Sequence, residues 1–330
     1  MKILITGVHG FVGSNLVEAL KKEHTIYGLD IISPLKEGIR FTFGWDNLDD
    51  GQIPDVDAII HLAGKAHDTK NQAAADVYFK VNTELTKKVF DYFLAHESIK
   101  KFVFFSTAKA AADKVDGILT EDVVPSPVGP YGESKIAAEN YILSKFKEFN
   151  GLRVDPLEPL EQLEHLKPTS KDVYIFRPCM IHGPGNKGNL NLLYSVVRKG
   201  IPWPLGAFEN RRTFTSIENI CFAVNGVLTK DVPSGIYNMG DDEALSTNEL
   251  IEEICKSLGK KPHIWKLPKG LMNGVAKMGD KLHLPLNSER LRKLTENYVS
   301  SNEKIKKALG VTKMPIDARD GLRATLKSFR

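Results

Sequence analysis

Apolar positions along this 330-residue chain alternate between two periods. The run 2–6 is almost continuously apolar, as in a strand buried on both faces, after which Phe11, Val12, Leu16, Val17 and Leu20 recur at helical spacing. Segments 25–30, 58–61 and 102–106 read as further strands, with an amphipathic helix over 78–96 between the last two. Another helix starts near Tyr131 and runs to Phe149, where Asn150-Gly151 supplies a stop, and 173–177 reads as a strand. This alternation predicts an α/β fold, a doubly wound parallel sheet whose ligand lies beyond the carboxyl ends of its strands. His61-Leu62-Ala63-Gly64 and Ser106-Thr107 fall at such ends and should face one crevice.

Between the helix and the 173–177 strand, residues 153–172 hold Pro156, Pro159 and Pro168 and read as an insertion, either surface decoration or a lid or dimer contact. After Pro178 the chain turns to Gly183-Pro184-Gly185 and Ile201-Pro202-Trp203-Pro204-Leu205-Gly206, loops that suit a smaller, substrate-covering C-terminal domain. The expected division is therefore 1–178 and 179–330, with 217–240 able to rejoin the first unit. Ser246-Thr247-Asn248-Glu249 and Ser300-Ser301-Asn302-Glu303 both have capping-box spacing.

A 42% hydrophobic and 26% charged composition supports a packed core, not disorder. Lys plus Arg is 45 against 41 for Asp plus Glu, and a net charge of +4 is too small to argue for a polyanion. Neither nucleic acid nor a membrane is expected as a partner, and the basic excess after Arg290 reads as solvated helix faces. Cys179, Cys221 and Cys255 are far apart and odd in number, which suits neither a disulfide framework nor a zinc site. No metal is expected, and a reducing cytoplasm fits. The first apolar run is too short for a signal peptide, and no later run approaches a membrane span.

Gly7, Gly10 and Gly13 follow a strand and open a helix, so the pyrophosphate of a dinucleotide can approach the helix N-terminus without Cβ obstruction. Their G-x-x-G-x-x-G spacing departs from the G-x-G-x-x-G form. Asp30 ends the second strand, where a carboxylate can accept hydrogen bonds from ribose hydroxyls, and Ile31-Ile32-Ser33 offers no arginine for a 2'-phosphate; NAD is favoured over NADP. Tyr131 and Lys135 stand four apart, so one helix face carries both, and a nearby ammonium is expected to move the phenol toward working pH as a base. The Thr107 hydroxyl can polarise a substrate oxygen opposite Tyr131.

His9, His61 and His67 lack metal spacing, and packing or backbone hydrogen bonding accounts for them. Cys179 has no base beside it in sequence and reads as an inert thiol. Arg211-Arg212 suits a diphosphate, which a guanidinium fork matches, and equally suits a solvated surface pair; both readings stay open.

Together these motifs resemble the extended short-chain dehydrogenase/reductase family, in its NAD-dependent nucleotide-sugar epimerase/dehydratase branch, over nearly the whole chain. The motifs are Thr6-Gly7-Val8-His9-Gly10-Phe11-Val12-Gly13, His61-Leu62-Ala63-Gly64, Val81-Asn82, Tyr131-Gly132-Glu133-Ser134-Lys135, and Arg177-Pro178 with His182-Gly183-Pro184-Gly185. Such a resemblance implies a Rossmann-like domain binding NAD through Gly7, His9, Gly10, Phe11, Val12, Gly13, Asp30, Leu62, Ala63, Gly64, Asn82, Lys135 and Pro178. It implies a catalytic set of Thr107, Tyr131 and Lys135, and a UDP-sugar held by Thr107, Asn189, Leu190 and Arg212.

Within the branch, Ser106-Thr107-Ala108-Lys109, Gly188-Asn189-Leu190 and Asn210-Arg211-Arg212-Thr213-Phe214 are similar to bacterial UDP-N-acetylhexosamine 4-epimerases and 4-keto-sugar 4-reductases of surface-polysaccharide assembly. The implied reaction is C4 epimerisation of a UDP-hexose or UDP-N-acetylhexosamine by a homodimer. Reduction of a UDP-4-keto-6-deoxy-N-acetylhexosamine by NAD(P)H needs the same residues, and a non-catalytic NAD-binding regulator is a third reading. His182 stands where tyrosine is usual, and Ala110-Ala111-Ala112 replaces the usual Val-Tyr-Gly. No acidic pair stands beside Thr107, which argues against dehydration.

Overall fold

The first apolar run becomes a central strand. The structure, a computed structural model, describes residues 1–65, 74–152, 170–186, 188–282 and 287–329. In chain order it forms β1 (Lys2–Thr6), α1 (Phe11–Leu20), β2 (Thr25–Leu29), β3 (Ile39–Phe43), β4 (Ala58–His61), α2 (Ala75–Tyr78), α3 (Leu85–Ala95), β5 (Lys101–Phe105), α4 (Ala108–Ala111), β6 (Ile118–Leu119), α5 (Pro130–Phe149) and β7 (Asp172–Pro178). There follow β8 (Met180–His182), α6 (Asn189–Arg198), β9 (Phe214–Ser216), α7 (Ile217–Thr229), β10 (Gly235–Met239), α8 (Thr247–Leu258), α9 (Lys269–Leu282), α10 (Ser288–Thr295), β11 (Val299–Ser300), α11 (Glu303–Leu309) and α12 (Ala318–Lys327).

Seven strands form one parallel sheet in the order β10-β7-β5-β4-β1-β2-β3. The order reverses at β1, which pairs with β2 on one side and β4 on the other, so the ligand crevice of a doubly wound sheet falls at the ends of β1 and β4. Successive residues of β1 serve opposite faces. Ile3 and Ile5 join one core with α1, α7 and α11, whereas Leu4 joins a second with α3 and α5. Burying each such side chain contributes roughly 1.5–3 kcal/mol, which fixes the strand register.

Two strands of this sheet lay outside the sequence reading. Edge strand β3 exposes Arg40 and Phe41, so its apolar pattern is broken, and β10 follows a loop after α7, which packs against α1. The helix expected over 78–96 starts earlier, at Ala75, and passes through a wider π-helical stretch at Phe79–Glu84.

Beyond the sheet, α6, α8 and α12 share a core that includes Leu190, Tyr194, Ile254 and Leu326, while β8 pairs with β9 and β6 with β11. The box at Ser246 forms as expected: Ser246 Oγ accepts the Glu249 N–H at 3.1 Å and Glu249 Oε2 accepts the Ser246 N–H at 2.8 Å. The box at Ser300 does not form. Ser300 belongs to β11, Asn302 is the N-cap, and the Glu303 N–H goes to Ser301 Oγ at 3.2 Å. Most of the insertion expected at 153–172 lies outside the described residues, as does His67. At its end, buried Lys171 donates to the carbonyls of Phe93, His96 and Ile99 and so caps the C-terminal end of α3.

Candidate active site

The glycine loop and the turn after β4 meet where the strand order reverses. Gly7 has φ +67°, and a Cβ there would stand 3.0 Å from the Ala63 nitrogen; one on Gly13 would stand 2.6 Å from the carbonyl oxygens of both Gly7 and Val8. Side chains are therefore excluded where α1 closes on the loop. The Thr6 hydroxyl accepts the N–H groups of Leu62 and Ala63 and meets His61 Nδ1 at 2.7 Å, while His61 Nε2 meets the Thr86 hydroxyl at 2.9 Å. His61 is thus a buried strut. Burial, with Lys135 adding to it, holds its imidazole down to about 3, so it stays neutral.

Asp30 Oδ2 accepts the His9 N–H at 3.0 Å and Oδ1 accepts the Ile31 N–H at 2.7 Å. His9 Nε2 in turn meets the Thr42 hydroxyl at 3.1 Å. The carboxylate therefore sits against the glycine loop. Helix α1 has no side-chain cap, so backbone N–H groups are presented at its N-terminus. An uncapped helix start, a Cβ-free approach and a carboxylate at the β2 end together fit a dinucleotide.

Thr107 and Tyr131 come from different elements. Thr107 caps α4 just past β5, accepting the Lys109 N–H, and its side chain hydrogen-bonds Tyr131 in the first turn of α5. Tyr78 packs edge-on against the Tyr131 ring at 6.3 Å between centroids. Burial pushes the Tyr131 phenol above its ordinary value and Thr107 pulls it down. The sequence expectation had the ammonium dominating; desolvation of the phenolate is the larger effect here. Lys135 Nζ donates to the Phe105 carbonyl at 2.8 Å. Burial pushes this ammonium down to about 8, against the pull of Glu139.

The π-helical stretch places Asn82 between the crevice and α5. Its Oδ1 accepts the Lys65 N–H at 2.7 Å, and its Nδ2 donates to the Lys65 carbonyl at 3.1 Å and to Ser134 Oγ at 3.0 Å. A π-turn at a functional site is a recurrent device for re-aiming one side chain. Sequence reasoning missed Glu139, one helical turn beyond Lys135, although the repeat Tyr131, Lys135, Glu139 was available as a signal. Glu139 is fully buried, takes a two-pronged ion pair from Arg177 (Nη2 to Oε2 2.6 Å, Nε to Oε1 3.2 Å) and accepts the Ser106 hydroxyl.

The other expected ligand residues divide. Pro178 ends β7, and Asn189 is exposed in the first turn of α6. Leu190 is buried in the C-terminal core, so its side chain serves packing and only its backbone is open to a ligand. Arg211 is exposed and pairs with Glu249, whereas Arg212 is half-buried, donates to the Lys293 carbonyl at 2.7 Å and lies near Cys179 and Tyr298. Phe11 packs at Gly183 and Gly185, and Asn15 donates to the Pro184 carbonyl at 3.1 Å, joining α1 to the loop before Asn189. Cys179, Cys221 and Cys255 are free thiols, and burial pushes Cys179 up to about 12. Among the described residues no group of His, Cys, Asp or Glu could hold a metal ion.

Comparisons with known proteins agree with this fold. Residues 3–240 match the model of the NAD dependent epimerase/dehydratase family. A UDP-glucose 4-epimerase of Vibrio cholerae is 30% identical over 288 residues, covering 81% of this chain and 78% of its own length. The N-acetyl-alpha-D-glucosaminyl-diphospho-ditrans,octacis-undecaprenol 4-epimerase of Escherichia coli O157:H7 is 26% identical, covering 94% and 86%. The solved structure of UDP-N-acetylglucosamine 4-epimerase from Bacillus cereus shares the fold at a TM-score of 0.74 and 21% identity, covering 100% of this chain and 99% of that one. With more than half of its length matched and the crevice in the expected place, the chain belongs to the NAD dependent epimerase/dehydratase family.

Proposed function

We propose that this protein epimerises C4 of a UDP-hexose or UDP-N-acetylhexosamine through a 4-keto intermediate, as a cytoplasmic step supplying precursors for surface polysaccharide. The observation that carries the reading is the Thr107–Tyr131 hydrogen bond beside the glycine-lined crevice, with Lys135 one turn along the same helix. A bound NAD would supply the hydride acceptor and donor for C4. Gly7, Gly10 and Gly13 would take its pyrophosphate at the start of α1, and Asp30 its ribose hydroxyls.

Tyr131 removes the 4-hydroxyl proton and later restores one. Burial alone disfavours the phenolate this requires, so the Thr107 donor and the nearby positive charge must offset desolvation. With its titration near 8, Lys135 is mostly charged at neutral pH and can supply that field. Thr107 also donates to the developing oxyanion at C4. Inverting the centre requires the sugar to present its other face, and a diphosphate gripped by Arg212 leaves the hexose free to turn. The names of the Vibrio cholerae and Escherichia coli relatives support a sugar 1-diphosphate as the recognised unit. Ala108, Lys109 and Ala110 follow Thr107, offering no acidic pair for dehydration.

Incubating purified protein with UDP-glucose, UDP-N-acetylglucosamine and a UDP-4-keto sugar, with products resolved by NMR, tests the assignment. A C4 epimer formed without net change in cofactor is expected. Stoichiometric consumption of NADH with the 4-keto sugar alone would assign a reductase instead.

A further inference from the structure

Helix α9 has two apolar faces. One buries Met272, Ala276 and Gly279, the first two in a small core with Leu205 and Leu291. On the other, Leu271, Met278 and Leu282 are 54%, 54% and 62% exposed, and with half-buried Val275 they recur at i, i+4, i+7 and i+11, a single line along the outside. Trp265, also 54% exposed, stands just before this helix on a backbone fixed by its neighbours: its N–H donates to the Trp203 carbonyl at 2.8 Å and its carbonyl accepts the Gly206 N–H at 3.0 Å.

Charge is concentrated in the same stretch of chain, where Lys260 donates to the Arg198 carbonyl at 2.6 Å and Lys269 stands over the Phe208 ring. Residues 260–282 carry the exposed lysines Lys260, Lys261, Lys266, Lys269, Lys277 and Lys281 against Asp280 alone, a surplus of five that exceeds the net charge of +4 for the whole chain. Asp280 is engaged at the start of α10, accepting the Ser288 N–H at 2.9 Å and the Ser288 hydroxyl. A nucleic acid would reward the lysines but not an aliphatic line and an indole. An apolar protein face would reward the line but desolvate the lysines. An anionic bilayer rewards both, with aliphatic side chains at the acyl boundary, tryptophan at headgroup level and lysines against lipid phosphates.

We propose that α9 and the Trp265 ribbon dock on an anionic phospholipid surface, with α9 lying in the headgroup plane. This proposal departs from the expectation of no membrane partner. No described helix is long and apolar enough to cross a membrane, so the contact is peripheral. The anchor is one helix from the candidate site, because α10, whose Ser288 N–H Asp280 accepts, offers the Lys293 carbonyl to Arg212.

The test is co-sedimentation of the whole chain with phosphatidylcholine vesicles, with and without phosphatidylglycerol. Binding only to the anionic vesicles, weakened by salt, is expected. Lys277→Glu with Lys281→Glu should lower partitioning at least about tenfold, and Leu271→Ser with Met278→Ser should lower it comparably, both with unaltered thermal unfolding. Failure to bind anionic vesicles, equal binding to neutral ones, or indifference to both double variants overturns the proposal. So does a dimer that Leu271→Ser with Met278→Ser dissociates in the absence of vesicle binding, which gives the face to a second copy. Retention on an oligonucleotide with vesicles ignored would give the lysines to nucleic acid.

Discussion

Lys135 Nζ donates to the carbonyl oxygen of Phe105 at 2.8 Å, clamping α5 to the end of β5. Each of those elements delivers one candidate catalytic hydroxyl, Tyr131 from the helix and Thr107 from just past the strand, so the clamp sets their separation. The ammonium thereby has a structural duty beside the electrostatic one proposed for it.

Replacing Tyr131 by Phe removes the proton-transfer group and retains the ring packed against Tyr78. Turnover of the UDP-sugar should fall by about 10²–10⁴-fold, with NAD affinity by titration unchanged. Near wild-type turnover would remove Tyr131 from the mechanism.

The buried ammonium makes two pH predictions. Lys135 titrates near 8 in the folded protein against an ordinary 10.5, so between those values the unfolded chain binds more protons and stability rises with pH. Lys135→Met should abolish this slope in melting temperature against pH. Glu139 raises the Lys135 value, so Glu139→Gln should move the alkaline limb of the rate profile to lower pH, beyond its cost to the Arg177 pair. A limb that stays fixed would separate Lys135 from catalysis.

Asp30 both faces the expected ribose position and holds the loop through the His9 N–H. Asp30→Ala should weaken NAD roughly ten- to hundredfold and NADP less. Asp30→Asn keeps an acceptor for His9, so it should preserve stability while losing the same preference. Unchanged selectivity in both variants would refute the ribose role.

Adjacent arginines should behave differently. Arg212→Ala is expected to raise KM for the UDP-sugar about tenfold or more, with little rescue by Arg212→Lys, since a lysine point charge cannot replace the fork. Arg211→Ala should stay near wild type, because its exposed pair with Glu249 is worth about 1 kcal/mol or less. Equal effects would mean that the pair acts as a unit.

The chain by itself determined the alternation of strand and helix, the glycine loop, and the placing of Tyr131 and Lys135 on one helix face. All of these rest on near-neighbour spacing, which a backbone of fixed period turns into geometry. Edge strand β3, with Arg40 and Phe41 outward, and the return of β10 to the sheet depended on pairing between distant segments. The different settings of Arg211 and Arg212, one exposed and one half-buried, the strut of His61 between Thr6 and Thr86, and the bridge of Asn82 from Lys65 to Ser134 likewise depended on tertiary structure. So was the direction in which the Tyr131 phenol moves. Four-residue spacing says that an ammonium is near, but desolvation depends on everything that surrounds a group, and that is assembled only when remote parts of the chain pack together.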